Sequence, residues 1–211
     1  MFDITTVGLF GLASVLLAIT PGPDMIYIAT RSIAQGRNAG IVSALGVYAG
    51  ILIHTLAAAL GLSALIAASA VAFSVVKYTG AAYLIYLGMQ TFLSKPEKLL
   101  VKSTMHAKLS QVFYQGLLVN LLNPKIILFF LAFLPQFVDP TQGSVKLQLL
   151  LLGILFVVLT LPINIGVGLV GGQLGIWLRT TQGIQQATKW VTGSIYITLG
   201  VTTAMTGPQK T

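Results

Sequence analysis

Long apolar runs separated by short polar gaps make up most of the chain. Residues 41–72, for example, contain no Lys, Arg, Asp or Glu. About 20 consecutive apolar residues cross the hydrocarbon core of a bilayer as a helix. Strands of a membrane barrel alternate in polarity over segments of about ten residues, and the sequence has no such segments. The pattern therefore predicts an all-α integral membrane protein.

The apolar runs predict six membrane-spanning helices in a single transmembrane domain, residues 1–211. The first run is interrupted by Pro21, Gly22 and Pro23. Its beginning lacks the basic residues of a signal peptide, so we expect it to be retained as a membrane helix. The predicted spans are residues 4–33, 39–65, 73–93, 111–135, 145–170 and 189–206.

The distribution of Lys and Arg predicts the orientation in the membrane. Eight of the twelve lie in the gaps after spans 1, 3 and 5 or border them. Loops rich in Lys and Arg stay on the cytoplasmic side. The prediction is a multi-pass protein of the inner (cytoplasmic) membrane with both termini outside. The eight residues are Arg31, Arg37, Lys95, Lys98, Lys102, Lys108, Arg179 and Lys189.

The polar linker 94–110 divides the chain into two similar halves, residues 1–93 and 111–206. Residues 77–88 read KYTGAAYLIYLG, and residues 189–200 read KWVTGSIYITLG. Residues 22–29, GPDMIYIA, and residues 123–130, NPKIILFF, share a helix-breaking proline. Each half has three spans, an odd number, so the second half must insert inverted. Inverted three-span repeats are typical of transporters, which bind substrate where the repeats meet.

Composition narrows the function classes further. The chain has no cysteine, which excludes disulfides, thiolate metal sites and a cysteine nucleophile. The net charge of +8 is confined to short gaps, a distribution that argues against nucleic-acid binding. No catalytic motif or paired carboxylate is present, so we expect no enzyme, no metal and no cofactor. An intramembrane enzyme is kept as the second class of function.

Two helix breaks are the first candidates for a binding site. Pro21, Gly22 and Pro23 interrupt span 1, and Asn123 with Pro124 interrupts span 4. Proline removes a backbone donor and disrupts the preceding turn. Within the bilayer, the exposed backbone groups are tolerated where protein buries them or where they line a wet cavity. The breaks therefore predict a substrate site, with a packing kink as the alternative.

Asp24 and Lys125 follow the two breaks and are the strongest site candidates. A charge near the bilayer centre is costly unless it is paired or hydrated. Because the two residues occupy equivalent places in the repeats, we expect them to face one central cavity. Asp24 suits an ammonium group or a proton, and Lys125 suits a carboxylate. The alternative is a purely structural ion pair.

Further polar residues in the spans are weaker candidates. Tyr27 and Arg31 share a helix face with Asp24 and are expected along the inward path, although an ordinary cytoplasmic anchor is the favoured interpretation of Arg31. His54 is either a structural histidine or a proton relay. Asn120 and Asn164 mark additional polar lining. A glycine cluster in span 5 predicts close helix packing; its members are Gly166, Gly168, Gly171 and Gly172.

These residues lie in motifs that resemble the LysE/RhtB family of bacterial amino-acid exporters. The likeness covers nearly the whole chain and includes TPGPDM, GRNAGIVSALGVYAGILIH, KYTGAAYLIYLG and NLLNPKIILFFLAFLPQF. It implies six spans, an inner-membrane location and proton-driven export of amino acids. Lys125 matches the family's Asn-Pro-Lys, whereas the family also carries a neutral polar residue at the place of Asp24.

The acidic residues bear on the class of amino acid. Of the four acids, Asp24 alone is expected within the membrane, since Asp3, Glu97 and Asp139 lie near termini or loops. A basic substrate would require an additional acid. We therefore favour neutral substrates such as homoserine, threonine or leucine, with basic amino acids as the alternative. The sequence leaves the oligomeric state open, a homo-oligomer included.

Cysteine substitution tests the predicted orientation, because the chain has no natural cysteine. In cells with a permeabilised outer membrane, an impermeant thiol reagent is expected to label Thr141→Cys and to leave Ser103→Cys unlabelled. The reason is that Ser103 lies in the positively charged linker and Thr141 in the opposite gap. Equal labelling at both positions would contradict a topology with both termini outside.

Overall fold

The structure, a computed structural model, describes residues 2–64, 70–93 and 107–180, and residues 190, 193–194, 197–198, 200–201 and 204–205 near the C-terminus. Its regular elements within these residues are all helical. The helices are α1 (Ile4–Ile19), α2 (Pro23–Gln35), α3 (Arg37–Ala57), α4 (Ala70–Leu93), α5 (Leu109–Leu121), α6 (Pro124–Leu128) and α7 (Val145–Thr180).

Helices α1 and α2 form one span that bends by 48°. In an unbroken helix, Leu17 O would accept a hydrogen bond from residue 21, which is proline and has no N–H. Thr20 is extended and ends α1. Pro23 begins α2 at the first helical position, where a missing N–H removes no helical hydrogen bond. The predicted interruption of span 1 is confirmed.

A second bend of 49° separates α5 from the helical stretch Pro124–Phe137. Asn123 caps α6, because its Oδ1 accepts a hydrogen bond from the Lys125 amide at 3.0 Å. Pro124 occupies the first helical position. Beyond α6 the span continues as a π-helical turn, Phe129–Phe133, and a 3₁₀ turn, Leu134–Phe137. The predicted break in span 4 is also confirmed.

Two stretches are long and apolar enough to cross a membrane unbroken. They are Arg37–Leu62, which joins α3 to the π-helical turn Ala58–Leu62, and Val145–Gly171 within α7. With each bent pair counted as one span, the described residues contain up to four candidate spans. These match predicted spans 1, 2, 4 and 5, and α4 covers predicted span 3. Helix α7 continues to Thr180, past the predicted end at residue 170.

Residues 94–106 of the predicted linker and most of predicted span 6 lie outside the described residues. The described residues between 190 and 205 are helical, in agreement with a sixth span. The six-helix arrangement of two inverted repeats stays a prediction.

Helix α3 is the centre of the described fold and contacts α2, α5 and α7. Gly36 joins α2 to α3 in a single residue at φ +85°, a left-handed conformation that favours glycine. One side of α3 buries Ala44, Val47 and Ile51. Leu45, Leu52 and Leu56 are about half exposed on α3, as expected for side chains that face lipid.

Aromatic side chains fix the second half of span 4 against its neighbours. Phe129 is 1% exposed, and its ring centroid lies 4.9 Å from that of Phe156 on α7 and 6.0 Å from that of Phe10 on α1. The packing of the rings is tilted or edge-to-face, the geometry that aromatic quadrupoles prefer. The stretch after the second break is thereby held between α1 and α7.

The backbones of α3 and α7 approach each other closely at Gly40 and Gly168. A Cβ atom placed on Gly168 would lie 2.9 Å from the carbonyl carbon of Gly40, closer than side-chain contacts allow. Ser32 of α2 donates a hydrogen bond to Gly168 O at 2.5 Å. Small residues permit such approaches between membrane helices.

The glycines of the cluster predicted in span 5 differ in how closely neighbouring helices approach them. Gly168 and Gly171 pack against neighbouring helices, and a Cβ on Gly171 would lie 3.1 Å from the Ser32 Cβ. The packing role predicted for Gly166 is wrong, because a Cβ there would meet nothing within 4 Å. The surroundings of Gly172 lie outside what the structure describes.

Gly168→Ala and Gly166→Ala form a matched pair on the same helix. We expect Gly168→Ala to lower stability by about 1–3 kcal/mol, because the methyl group overpacks the α3–α7 contact. Gly166→Ala should be neutral or slightly stabilising, since alanine is the better helix former. Thermal unfolding of the purified proteins in detergent measures both effects. Similar changes for the two variants would contradict the close approach at Gly168.

Candidate functional site

A buried polar cavity lies between the two helix breaks, α3 and α7. The space open to water centres measures about 30 Å³, enough for about two or three waters at 10–15 Å³ each. Its apolar wall includes Leu17, Val47, Ile51, Ile126 and Phe156. The polar lining comes from both halves of the chain and consists of Thr20, Asp24, Tyr48, Asn123, Lys125, Thr160 and Asn164.

Lys125 ties the second break to the first. Its side chain is 7% exposed, and Nζ donates hydrogen bonds to Leu17 O at 2.6 Å and Thr20 O at 2.8 Å. These carbonyls end α1, where the helix supplies no further N–H partners. A positive charge also suits the negative end of the α1 dipole. Lys125 therefore caps the broken helix of the other half.

Asp24 lies in the first turn of α2 on the other side of the break. Its Oδ2 accepts a hydrogen bond from Asn120 Nδ2 at 2.8 Å, while Oδ1 is buried without a partner. As predicted, Asp24 and Lys125 face one cavity. They make no direct ion pair, since the hydrogen bonds of Lys125 go to the carbonyls of α1.

A chain of hydrogen bonds joins α3 to α7 along the opposite wall of the cavity. Asn164 Nδ2 donates to Tyr48 Oη at 2.9 Å, and Tyr48 Oη donates to Thr160 Oγ1 at 2.8 Å. Thr160 in turn donates to Phe156 O at 2.6 Å. Of these residues the sequence indicated Asn164 alone. The spacing of Thr160 and Asn164, one helical turn apart, is the signal that could have added Thr160.

Four buried polar atoms near the cavity have no hydrogen-bond partner: Asp24 Oδ1, Asn120 Oδ1, Asn123 Nδ2 and Asn164 Oδ1. An unsatisfied buried group costs about 1–3 kcal/mol. The orientation of the Asn123 amide is fixed, because its Oδ1 caps α6 and Nδ2 is left as a donor. The Asn123 amide is near enough to Asp24 to interact with its carboxylate, so the site combines buried acceptors with one amide donor beside them.

Asn120 supports Asp24 from behind and depends on Gly50. Asn120 is fully buried, and a Cβ on Gly50 would lie 2.5 Å from its Oδ1. His54 reaches the site only through Asn120, whose carbonyl oxygen lies 3.4 Å from His54 Nε2. His54 does not line the cavity. Gly50 escaped the sequence analysis because nothing in the sequence shows which residue faces it.

Tyr27 and Arg31 lie on α2 beyond the cavity rather than along its wall. Tyr27 Oη donates to Val112 O on α5 at 2.6 Å. Arg31 is 9% exposed, whereas its role as a cytoplasmic anchor stays a prediction. The Arg31 side chain is buried because α5 packs over it and Gln115 accepts its hydrogen bond.

The prolines at the breaks act through the backbone. Pro21, Pro23 and Pro124 are exposed, whereas Gly22 lies against Lys125 on the cavity wall. A Cβ on Gly22 would lie 3.5 Å from Lys125 Nζ. That separation is an ordinary van der Waals contact, so Gly22 lies directly against the lysine side chain that caps α1.

A larger cavity, about 190 Å³, lies at the other end of α1 beside Asp3 and Asp139. Thr141 donates to Asp139 from its hydroxyl at 2.6 Å and its amide at 2.9 Å. These hydrogen bonds hold the pKa of Asp139 below its usual value. The carboxylate is thereby committed to its own loop, in agreement with the loop position expected for it.

Membrane helices that break beside a buried polar cavity are the arrangement in which solute transporters place their binding sites. Fold and site together define a membrane protein of this class. The sequence pattern of the family described as LysE type translocator matches residues 15–207, and the chain belongs to that family. The resemblance drawn from the motifs is confirmed, and the protein is a transporter rather than an enzyme.

Individual relatives cover most of the chain. The homoserine/homoserine lactone efflux protein of Salmonella typhimurium is 31% identical over 90% of this chain and 91% of its own. An uncharacterised membrane protein of Vibrio cholerae is 31% identical over 90% of this chain and 92% of its own. The leucine efflux protein of Salmonella choleraesuis is 32% identical over 61% of each chain. No solved structure matches the chain.

Substitution of Gly50 tests the support of Asp24. We expect Gly50→Ala to lower stability by about 1–3 kcal/mol, because the methyl group displaces the Asn120 amide. In an Asn120→Ala background the same substitution should cost less, because the contacts with the amide group are removed while the contact with the Asn120 Cβ at 2.9 Å remains. Gly61→Ala, with nothing within 4 Å of its added carbon, is the control. Additive effects in thermal unfolding would contradict the contact.

Proposed function

We propose that the protein exports neutral amino acids from the cytoplasm across the inner membrane in exchange for protons. The observation that carries this proposal is the set of unpaired polar atoms in the cavity between the helix breaks. They are unused acceptors and donors, which an amino-acid zwitterion would complete. The efflux proteins of homoserine and leucine to which the chain is similar support the same class of substrate.

The substrate ammonium is assigned to the acceptors. An ammonium group has three N–H donors and no acceptor. Asp24 Oδ1 and Asn164 Oδ1, both buried and unpaired, line the same cavity. Asp24 adds the negative charge that an ammonium removed from water requires.

The substrate carboxylate is assigned to the donors beside the second break. Asn123 Nδ2 is unpaired, and the Lys125 ammonium has three N–H groups, two of which bind α1 carbonyls. The nearby N-terminus of α2 adds the positive end of a helix dipole, which also favours an anion. A carboxylate here lies against Gly22, where no side chain intervenes.

The remaining wall selects the side chain of the substrate. Leu17, Ile51, Ile126 and Phe156 form an apolar surface opposite the charged groups. Asp24 is the acid that lines the cavity, so a basic substrate would bring a second cation without a partner. Aliphatic or hydroxyl-bearing side chains fit this surface, and export of basic amino acids is the less favoured alternative.

Proton exchange follows from the two roles open to Asp24. The carboxylate binds either the substrate ammonium or a proton, because protonation removes the charge that holds the ammonium. His54, connected through Asn120, is the second candidate for the proton. The space open to water centres, about 30 Å³, holds about two or three waters, so we expect the broken spans to separate when an amino acid enters and leaves.

A panel of labelled amino acids tests the function. Inside-out vesicles that contain the protein are expected to take up homoserine, threonine or leucine when a proton gradient is imposed. Uptake of lysine should be at least tenfold weaker, because one unpaired cation in the cavity costs more than about 1.4 kcal/mol. A protonophore should abolish uptake. Preferred transport of lysine or arginine would favour the alternative.

Charge-neutral variants separate binding from structure. Asp24→Asn and Lys125→Gln are each expected to reduce uptake more than tenfold, since each removes a charged hydrogen bond worth about 1.5–3 kcal/mol. The double variant should fold and still not transport, because both substrate contacts are missing. Vesicle uptake and thermal stability of the purified variants are the measurements. Recovery of full uptake in the double variant would restrict the two charges to a structural role.

A further inference from the structure

A second cationic group lies on α2, two turns beyond Asp24 and outside the cavity described above. Arg31 is 9% exposed. Its Nη1 donates to Gln35 Oε1 at 3.2 Å, and its Nη2 donates to Gln115 Oε1 on α5. The guanidinium carbon lies 5.5 Å from the centroid of the Tyr27 ring. All three of these partners are neutral.

A buried guanidinium needs a counter-charge that these partners do not supply. Amide oxygens accept two of its hydrogen bonds but leave its charge uncompensated. Among the described acids, Asp24 is bound to Asn120, and Asp3 and Asp139 share the cavity at the far end of α1. Within the described part of the chain, Arg31 therefore has no acidic partner.

A carboxylate is the group that would both neutralise the Arg31 charge and accept its remaining hydrogen bonds. A guanidinium presents five N–H donors in a planar fork that fits both oxygens of one carboxylate. The two hydrogen bonds to glutamine orient this fork, and Tyr27 is itself fixed by its hydrogen bond to Val112 O. The group is thus buried, oriented and positively charged, with donors left over.

The position of Arg31 places this group on the inward side of the cavity. Asp24, Tyr27 and Arg31 lie on one face of α2, at intervals of three and four residues. Seven residues of helix correspond to about 10 Å. Arg31 also lies where α2 meets α5, so its hydrogen bond to Gln115 joins the inner halves of the two broken spans.

We propose that Arg31 is a separate binding site for the substrate carboxylate, reached from the cytoplasm before the cavity between the breaks. The carboxylate replaces Gln115 on the guanidinium, which removes one of the hydrogen bonds between α2 and α5. The substrate class is an α-amino acid with a free carboxylate. This inference rests on the proposed function, and the experiment below separates the two.

The test compares transport from the two faces of the membrane. Inside-out and right-side-out vesicles receive labelled leucine or homoserine, with leucinamide and homoserine amide as competitors that lack the carboxylate. Arg31→Gln is expected to raise the half-saturation concentration about tenfold or more from the cytoplasmic face, and to leave the opposite face unchanged. The preference for each amino acid over its amide should fall by a similar factor on the cytoplasmic face.

Three further variants control for structure. Arg37→Gln removes an exposed arginine at the same end of α2. It should change neither the half-saturation concentration nor the preference for the amino acid over its amide. Arg31→Lys keeps the charge without the planar fork, so its shift should be smaller than that of Arg31→Gln. Gln115→Ala removes the contact between α2 and α5, and the preference for the free carboxylate should persist because the guanidinium remains.

Each result bears on the inference. The inference is supported if Arg31→Gln raises the half-saturation concentration at the cytoplasmic face alone and also reduces the preference for the amino acid over its amide there. Equal shifts on both faces, or an unchanged preference in both Arg31 variants, would show that Arg31 only joins the helices. Absence of uptake of every amino acid by the wild type would overturn the proposed function and the inference with it. Uptake by the wild type with no effect of Arg31→Gln would overturn the inference alone.

Discussion

The bond between Lys125 and the end of α1 is the interaction on which the rest of the site depends. Pro21 has no N–H, so Leu17 O lacks the partner that an unbroken helix would supply. Hydrocarbon offers no water in compensation, and exposed carbonyls persist only where protein satisfies them. Lys125 supplies two hydrogen bonds from the residue after the break in the other half. The first break therefore depends on a side chain that the second break supplies.

This arrangement explains why so much polarity is concentrated in so small a volume. Lys125 must stay beside α1, and Gly22 lies in contact with its side chain. Asp24 balances the charge across the cavity without direct contact, and Asn120 holds its carboxylate at 2.8 Å. The buried oxygens that make no hydrogen bond to the protein are costly unless another polar group reaches them. A zwitterion that offered an ammonium and a carboxylate would relieve that cost, which couples substrate binding to the stability of the broken spans.

Packing around the site is uneven in a way that suits movement. Helices α3 and α7 are joined by glycine contacts and by the hydrogen bonds of Tyr48 with Thr160 and Asn164. The half-helices α2 and α5 are joined mainly through polar side chains, among them Tyr27 and Arg31 with Gln115. Hydrogen bonds between side chains exchange more readily with a ligand or water than close backbone packing does. We therefore expect rearrangement at the contact between α2 and α5, whereas close packing holds α5 to α3 at Gly46 and Gly116 and α2 to α7 at Gly171.

The sequence by itself determined the helical class, the two breaks and the charges that follow them, because proline chemistry and the polarity of the bilayer act locally. It also placed Asp24 and Lys125 at one cavity, through the similarity of the two halves. Only the tertiary structure decided that Lys125 donates its hydrogen bonds to carbonyls of α1 and not to the Asp24 carboxylate. It also decided that Arg31 is buried. The site membership of Tyr48, Thr160 and Gly50 was likewise visible only in the structure. These features depend on how each helix is rotated and which helix faces it. An apolar helix in lipid carries little amphipathic pattern, so its sequence does not specify that rotation.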